Sequence, residues 1–132
     1  EKLIPTVIRK ILSNKKIPIY GNGLNIRDWI YAKDHSHAIV SLHENGVVNE
    51  KINIGGDHEI SNLSLVRNIL KMMGRNEDLI EFVSDRPGHD LRYAIDNSKI
   101  YTITDWKPSQ HFEQNLQETI EWYQNNPNWW DS

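Results

Sequence analysis

The chain has no cysteine, which excludes disulfides, thiol nucleophiles and cysteine-ligated zinc together. It has no apolar run approaching the roughly 18 residues of a membrane-spanning helix. No basic stretch leads into an apolar segment, so no secretory leader is visible. Nor does charge of one sign dominate: 15 Lys and Arg stand against 18 Asp and Glu, for a formal charge of −3. The two signs are interspersed, which argues against a nucleic-acid or membrane-surface binder. Apolar residues are scarce at 38%. Counted with glycine in place of tyrosine, the share still falls below the about 45–50% usual for globular domains. Five tryptophans partly compensate, because each can bury a large area. The 132 residues amount to one domain, with a thin core of the kind expected where a domain leans on a partner. The chain begins at Glu1 rather than Met and runs at once into a helical pattern. A piece of something larger is therefore expected.

What is present reads as alternating short helices and strands. Leu3, Ile4, Val7, Ile8, Ile11 and Leu12 recur at helical spacing, with Pro5 tolerable in the first turn and Lys15–Lys16 ending the helix. Ile17 to Tyr20 is extended, and its proline marks an edge strand. Gly21-Asn22-Gly23 is a turn, followed by an alternating strand over 26–31. Asp34 is placed to cap a helix through His43, with Ala38, Ile39 and Leu42 on one face and Gly46 closing it. Lys51 to Ile54 reads as a third strand, stopped by Gly55-Gly56. Ser61 or Asn62 caps a helix with the stripe Leu63, Val66, Leu70 and Met73, and Gly74 follows its end. Leu79 to Val83 is a strand, 84–90 a polar loop and 92–95 extended. Asp96 caps a short helix. The last helix runs from Phe112 to Gln124, Pro127 stops it, and 128–132 form a tail. The fold class is a small α/β mixture, not a full doubly wound sheet.

The usual catalytic sets are missing. Gly21-Asn22-Gly23 has no helix directly behind it, so it fails as a phosphate fingerprint. No serine sits in a nucleophile elbow. The six histidines are His35, His37, His43, His58, His89 and His111. His35 and His37, two apart, fall on different faces of a helix and make a poor metal pair; no metal site is expected.

Two segments suggest ligand chemistry. In 18–29, Tyr20 offers a flat ring, Gly21 to Gly23 a flexible turn and Arg27 a fork suited to phosphate. In 85–90, Asp85, Arg86, His89 and Asp90 crowd a loop held by Pro87 and opened by Gly88, a composition suited to an anionic ligand. Taken alone, each also fits a plainer reading: Arg27 paired with Asp28 on a surface hairpin, and a turn stapled by its own Asp–Arg pairs. Taken together, two arginines, a histidine and a tyrosine suit a nucleotide diphosphate.

The runs PIYGNGLNIRDWIYAKDH, KINIGG, DRPGHDLRYAID and WKP, followed by a helix ending in EWY, occur here in order. Together they resemble the dTDP-glucose 4,6-dehydratases, extended short-chain dehydrogenases/reductases of deoxysugar (dTDP-rhamnose) biosynthesis. The resemblance spans essentially the whole chain. It implies that 1–132 is the C-terminal substrate-binding lobe of a cytoplasmic, homodimeric lyase. The NAD-binding Rossmann domain would lie upstream, with a catalytic Tyr-x-x-x-Lys pair and an Asp-Glu pair; no Tyr here has a Lys four residues later. The lobe alone is expected to be inactive, without catalytic or cofactor-binding residues, and monomeric. The implied reaction on dTDP-glucose is oxidation at C4 with NAD, loss of water across C5 and C6, and return of the hydride to C6, giving dTDP-4-keto-6-deoxyglucose.

The resemblance also implies roles residue by residue. Lys2 and Leu3 match a pair lining the nucleotide-sugar pocket. Pro18, Ile19 and Tyr20 match the run around the nucleobase, and Arg27 an arginine on the diphosphate. Asn62 matches an asparagine reaching the nucleotide. Asp85, Arg86, Pro87, Gly88 and His89 match a loop closing over the diphosphate and deoxyribose. The chain departs from the family pattern at Ala32-Lys33, at Asp105 and across 57–60. A UDP- or GDP-sugar epimerase or dehydratase, or a non-catalytic binding module, are the competing readings.

Overall fold

A computed structural model describes residues 2–129. In chain order the elements are α1 (Leu3–Leu12), β1 (Ile17–Tyr20), β2 (Ile26–Asp28), α2 (Ala32–Glu44), β3 (Glu59–Ser61), α3 (Asn62–Met72), β4 (Ile80–Val83), α4 (Ser98–Ile103) and α5 (Phe112–Asn125). Short 3-10 turns cover Glu77–Leu79 and Pro127–Trp129. The mixture of helices and short strands is the one the sequence predicts. Among the described residues no helix is long and apolar enough to cross a membrane. Trp130, Asp131 and Ser132 of the expected tail lie outside the described residues.

The chain divides into two compact units, each assembled from separate stretches. The first draws on Glu1–Asn25, Ser61–Leu91 and Glu113–Ser132, the second on Ile26–Ile60 and Arg92–Phe112.

In the first unit β1 and β4 run parallel, with Ile17 opposite Ile80 and Tyr20 opposite Val83. Ile17 and Ile19 alternate into the core, where α1 contributes Val7, Ile8 and Ile11 and α3 contributes Leu63, Leu65, Val66, Ile69 and Leu70. Each such side chain contributes about 1.5–3 kcal/mol when fully buried. Lys2 stands at the N-cap of α1 without a side-chain bond, and Pro5 falls in the first turn, where its missing N–H costs nothing. The helix stops at Leu12, before the expected lysines. Asn14 swings to φ 50, and the Asn14 and Lys15 N–H groups fold back onto the Ile11 and Lys10 carbonyls at 3.0 and 2.8 Å. This Schellman closure also ends α3 at Gly74 and, in the second unit, α2 at Gly46. Ser61 caps α3, its Oγ accepting from the Ser64 N–H at 3.2 Å.

The second unit has a different economy. Among the described residues its buried apolar side chains are few: Ala38, Ile100 and Pro108. Polar groups hold it instead. The buried Asn97 side chain accepts from the Gly55 N–H at 2.6 Å and donates to the Gly55 carbonyl and to Asp57 at 3.2 and 2.8 Å. The Asp28 carboxylate accepts from the Gly56 and His58 N–H groups at 3.1 and 3.0 Å. The thin apolar share of the sequence therefore falls mostly on this unit, where satisfied hydrogen bonds fix the backbone.

Several expectations need correction. The second strand ends at Asp28, short of the expected Tyr31, and α2 begins at Ala32. Lys51 to Ile54 forms no strand. Strand β1 pairs with β4 and β2 with β3, so 17–31 is not a hairpin. Tyr31, not Asp34, occupies the N-cap of α2. The Asp34 carboxylate instead accepts from the N–H and hydroxyl of Ser109 at 3.1 and 2.8 Å. Ile39, expected inward, is more than half exposed. Asn97, not Asp96, occupies the N-cap of α4, although the Asp96 carboxylate accepts from the Ser98 N–H at 2.8 Å.

Candidate functional site

The parallel register of β1 and β4 makes both suspected ligand segments leave the sheet at the same end. The turn after Tyr20 and the loop after Val83 each follow a strand's carboxyl end, the edge at which open α/β sheets place their ligands. The Gly21 N–H donates to the Val83 carbonyl at 3.0 Å. Gly21 and Gly23 take φ 58 and 70, a left-handed backbone that glycine adopts without Cβ strain. The turn then docks on the start of α3: the Leu63 N–H donates to the Gly23 carbonyl at 2.9 Å, and the Asn62 N–H to the Asn25 carbonyl at 3.0 Å. Asn25, itself buried, donates its side-chain amide to the Asp90 carbonyl at 3.1 Å. Pro18, Ile19, Tyr20, Asn62 and the 85–90 loop are thus gathered in one unit.

Within the loop, Asp85 Oδ1 accepts from the Arg86 N–H at 2.9 Å and lies 2.7 Å from His89 Nδ1. A carboxylate can only accept, so the proton of that contact sits on Nδ1. The His89 side chain is 5% exposed. The hydrogen bond from His89 holds the Asp85 carboxyl below its ordinary value; burial opposes it, and the Arg86 N–H adds to it. Arg86, Pro87 and Gly88 are exposed, and Tyr20 is about half exposed at 49%. An aromatic ring, a guanidinium and an imidazole of fixed tautomer, beside backbone turns, can take a ring and an anion together. Lys2 is exposed and Leu3 half-buried at the start of α1; no hydrogen bond or ion pair described ties them to the loops.

Arg27 belongs to the second unit. It is 9% exposed. Its Nη1 donates to the Ile26 carbonyl at 2.7 Å, and its guanidinium carbon lies 4.3 Å from the ring centre of Tyr93. Sequence reasoning did not single out Tyr93, although the run RYAID contains it. The neighbouring Asp28 spends its carboxylate on backbone N–H groups. The positions that depart from the family pattern carry contacts of their own. Asp57 accepts from Tyr101, His58 stacks on Phe112 at 3.9 Å, and Glu59 grips Arg92 with both oxygens at 2.7 and 2.9 Å. Burial, then the bond to Asp57, pushes the Tyr101 phenol up to about 12. His35, His37, His43 and His111 are exposed.

Among the described residues no glycine-rich turn runs from a strand directly into a helix, as a dinucleotide pyrophosphate requires. Gly21 to Gly23 leads from β1 to β2. These residues do not fit NAD.

A sequence profile of the family described as GDP-mannose 4,6 dehydratase matches residues 1–119. The chain is similar to a dTDP-glucose 4,6-dehydratase of Neisseria meningitidis serogroup B, 43% identical over all of this chain and 40% of the relative. It is similar to another of Escherichia coli, 45% identical over 98% of this chain and 39% of the relative. The crystal structure of a dTDP-glucose 4,6-dehydratase from Bacillus anthracis in complex with NAD superposes with a TM-score of 0.89 at 46% identity, over 98% of this chain and 41% of that one. The chain spans about 40% of the length of the relatives it matches.

Proposed function

The chain belongs to the GDP-mannose 4,6-dehydratase family, and on that premise we propose that it is the substrate-binding lobe of a dTDP-glucose 4,6-dehydratase. The observation that carries this reading is the meeting of the 18–23 and 85–90 segments at one end of the parallel β1–β4 pair. The names of the relatives at 43–46% identity favour dTDP-glucose as the substrate.

In this reading Pro18, Ile19 and Tyr20 bracket the nucleobase, with the exposed Tyr20 ring as a stacking surface. In the first unit Arg86 takes the diphosphate, to which a charged hydrogen bond contributes about 1.5–3 kcal/mol; for Arg27, in the second unit, a diphosphate role rests on the family resemblance. His89 offers the diphosphate or deoxyribose its Nε2 edge, since Asp85 occupies Nδ1. Asn62 reaches the nucleotide from the start of α3, and Lys2 and Leu3 line the nucleotide-sugar pocket. The lobe binds and orients; positioning of this kind supplies a large share of an enzyme's rate. NAD, the Tyr-Lys pair and the dimer contacts belong to the remaining length of the parent protein.

Calorimetric titration of the full-length protein carrying this chain with dTDP, UDP and GDP tests the substrate. The reading requires dTDP to bind tightest; tighter GDP binding overturns it.

A further inference from the structure

We propose that Tyr93 is a positioning residue for Arg27, holding the guanidinium plane in the orientation that receives the substrate diphosphate. This rests on the diphosphate role proposed for Arg27. The chemistry starts with the ring. A tyrosine face attracts a guanidinium within about 6 Å of its centre, and Tyr93 meets Arg27 at 4.3 Å. An arginine side chain otherwise carries considerable rotamer entropy, which a phosphate would have to remove on binding. Here the same Ile26 carbonyl that accepts from Arg27 Nη1 at 2.7 Å also accepts from the Tyr93 N–H at 3.4 Å. Edge and face of the fork are therefore referred to a single peptide.

The Tyr93 backbone is itself clamped. Ile26 bridges Arg92 in parallel fashion. Arg92 is held in bidentate contact by Glu59, and Glu59 lies on β3, the partner strand of β2. The Glu59 contact raises the Arg92 pKa. The frame β2, β3, Glu59, Arg92, Tyr93 closes on Arg27. It uses two of the positions, Glu59 and Tyr93, that no diphosphate contact explains.

The test is a double-mutant cycle on the full-length protein, with dTDP as the probe and its Kd as the readout. The variants are Tyr93→Ala, Tyr93→Leu, Tyr93→Phe and Arg27→Ala, alone and combined. Loss of a cation–π contact predicts about 3- to 20-fold weaker dTDP binding in Tyr93→Ala and Tyr93→Leu. Tyr93→Phe, which keeps the ring, should restore near-native affinity. In the Arg27→Ala background the Tyr93 substitutions should add nothing. If Tyr93→Ala weakens binding equally in that background, the ring serves only the fold and the proposal fails. If Arg27→Ala weakens binding while the Tyr93 variants bind as native, the proposal fails and the function reading stands. If Arg27→Ala itself binds as native, the diphosphate role of Arg27 fails. Should Tyr93→Ala not fold, the contrast between Tyr93→Leu and Tyr93→Phe decides.

Discussion

Gly21 lies against Asp85: a Cβ at position 21 would come within 2.9 Å of the Asp85 Oδ2 and 3.1 Å of its carboxyl carbon. The two residues belong to different loops and meet only because β1 and β4 are parallel neighbours. Gly21→Ala should therefore act twice. It meets the left-handed backbone cost of about 1–2 kcal/mol, and it displaces the carboxylate that orients His89. Gly74→Ala, with φ 64 and nothing within 4 Å of the new Cβ, should show the backbone cost alone. Urea unfolding of both variants, with dTDP binding measured beside it, separates the effects. Equal dTDP affinity in the two would dissociate the loops.

The Asp85–His89 contact has a pH signature. The folded-state Asp85 pKa lies below its unfolded value, chiefly through the His89 hydrogen bond. The folded form then releases the proton more readily, so the contribution is present above the unfolded carboxylate range and fades as pH falls through the folded value. Asp85→Asn should flatten the stability profile between neutral and strongly acidic pH. Superimposable urea midpoints for native and variant across that range would show the contact contributes nothing.

Tyr101 works at the other end of the scale. Its folded pKa is raised to about 12, above the usual tyrosine value of about 10. The raised value means the folded state keeps its proton longer. Stability is fully present below the unfolded pKa and is lost as pH rises through the folded one. Tyr101→Phe should unfold less steeply than native between about pH 10 and 12, and absorbance titration of the phenol should show a late-ionising group.

Gly56 is the least replaceable glycine. A Cβ there would meet the Trp29 carbonyl oxygen at 1.9 Å and its carbon at 2.5 Å, both backbone. Overpacking typically costs about 1–3 kcal/mol, occasionally more; with no side chain free to yield, Gly56→Ala should reach or exceed the upper figure and lower the thermal midpoint more than Gly21→Ala does.

The helices were legible because their signals are local. The α1 stripe, the Ser61 cap and the turns at Gly46 and Gly74 need only near neighbours in sequence. Strand partners were not, since β1 pairs across more than sixty residues with β4 while its sequence neighbour β2 invites a hairpin. The division into two units escaped composition for the same reason: each unit is discontinuous, and no linker separates them. Of the candidate site, residue chemistry picked out Tyr20, Arg27 and the 85–90 loop. Lys2, Leu3 and Asn62 came from the family resemblance alone. Tyr93 stayed hidden because an arginine's stacking partner leaves no mark at a fixed spacing. Asp34 was misplaced for a related reason, its acceptor role being filled by the distant Ser109 rather than by its own helix end.

The most direct measurement is the dTDP dissociation constant of the full-length protein with and without Arg86→Ala, at one fixed salt concentration. Arg86 is exposed in the loop that follows β4, so its removal should spare the fold. Loss of a charged contact of about 1.5–3 kcal/mol predicts about tenfold to a hundredfold weaker binding. An unchanged constant would contradict a diphosphate site at the ends of β1 and β4.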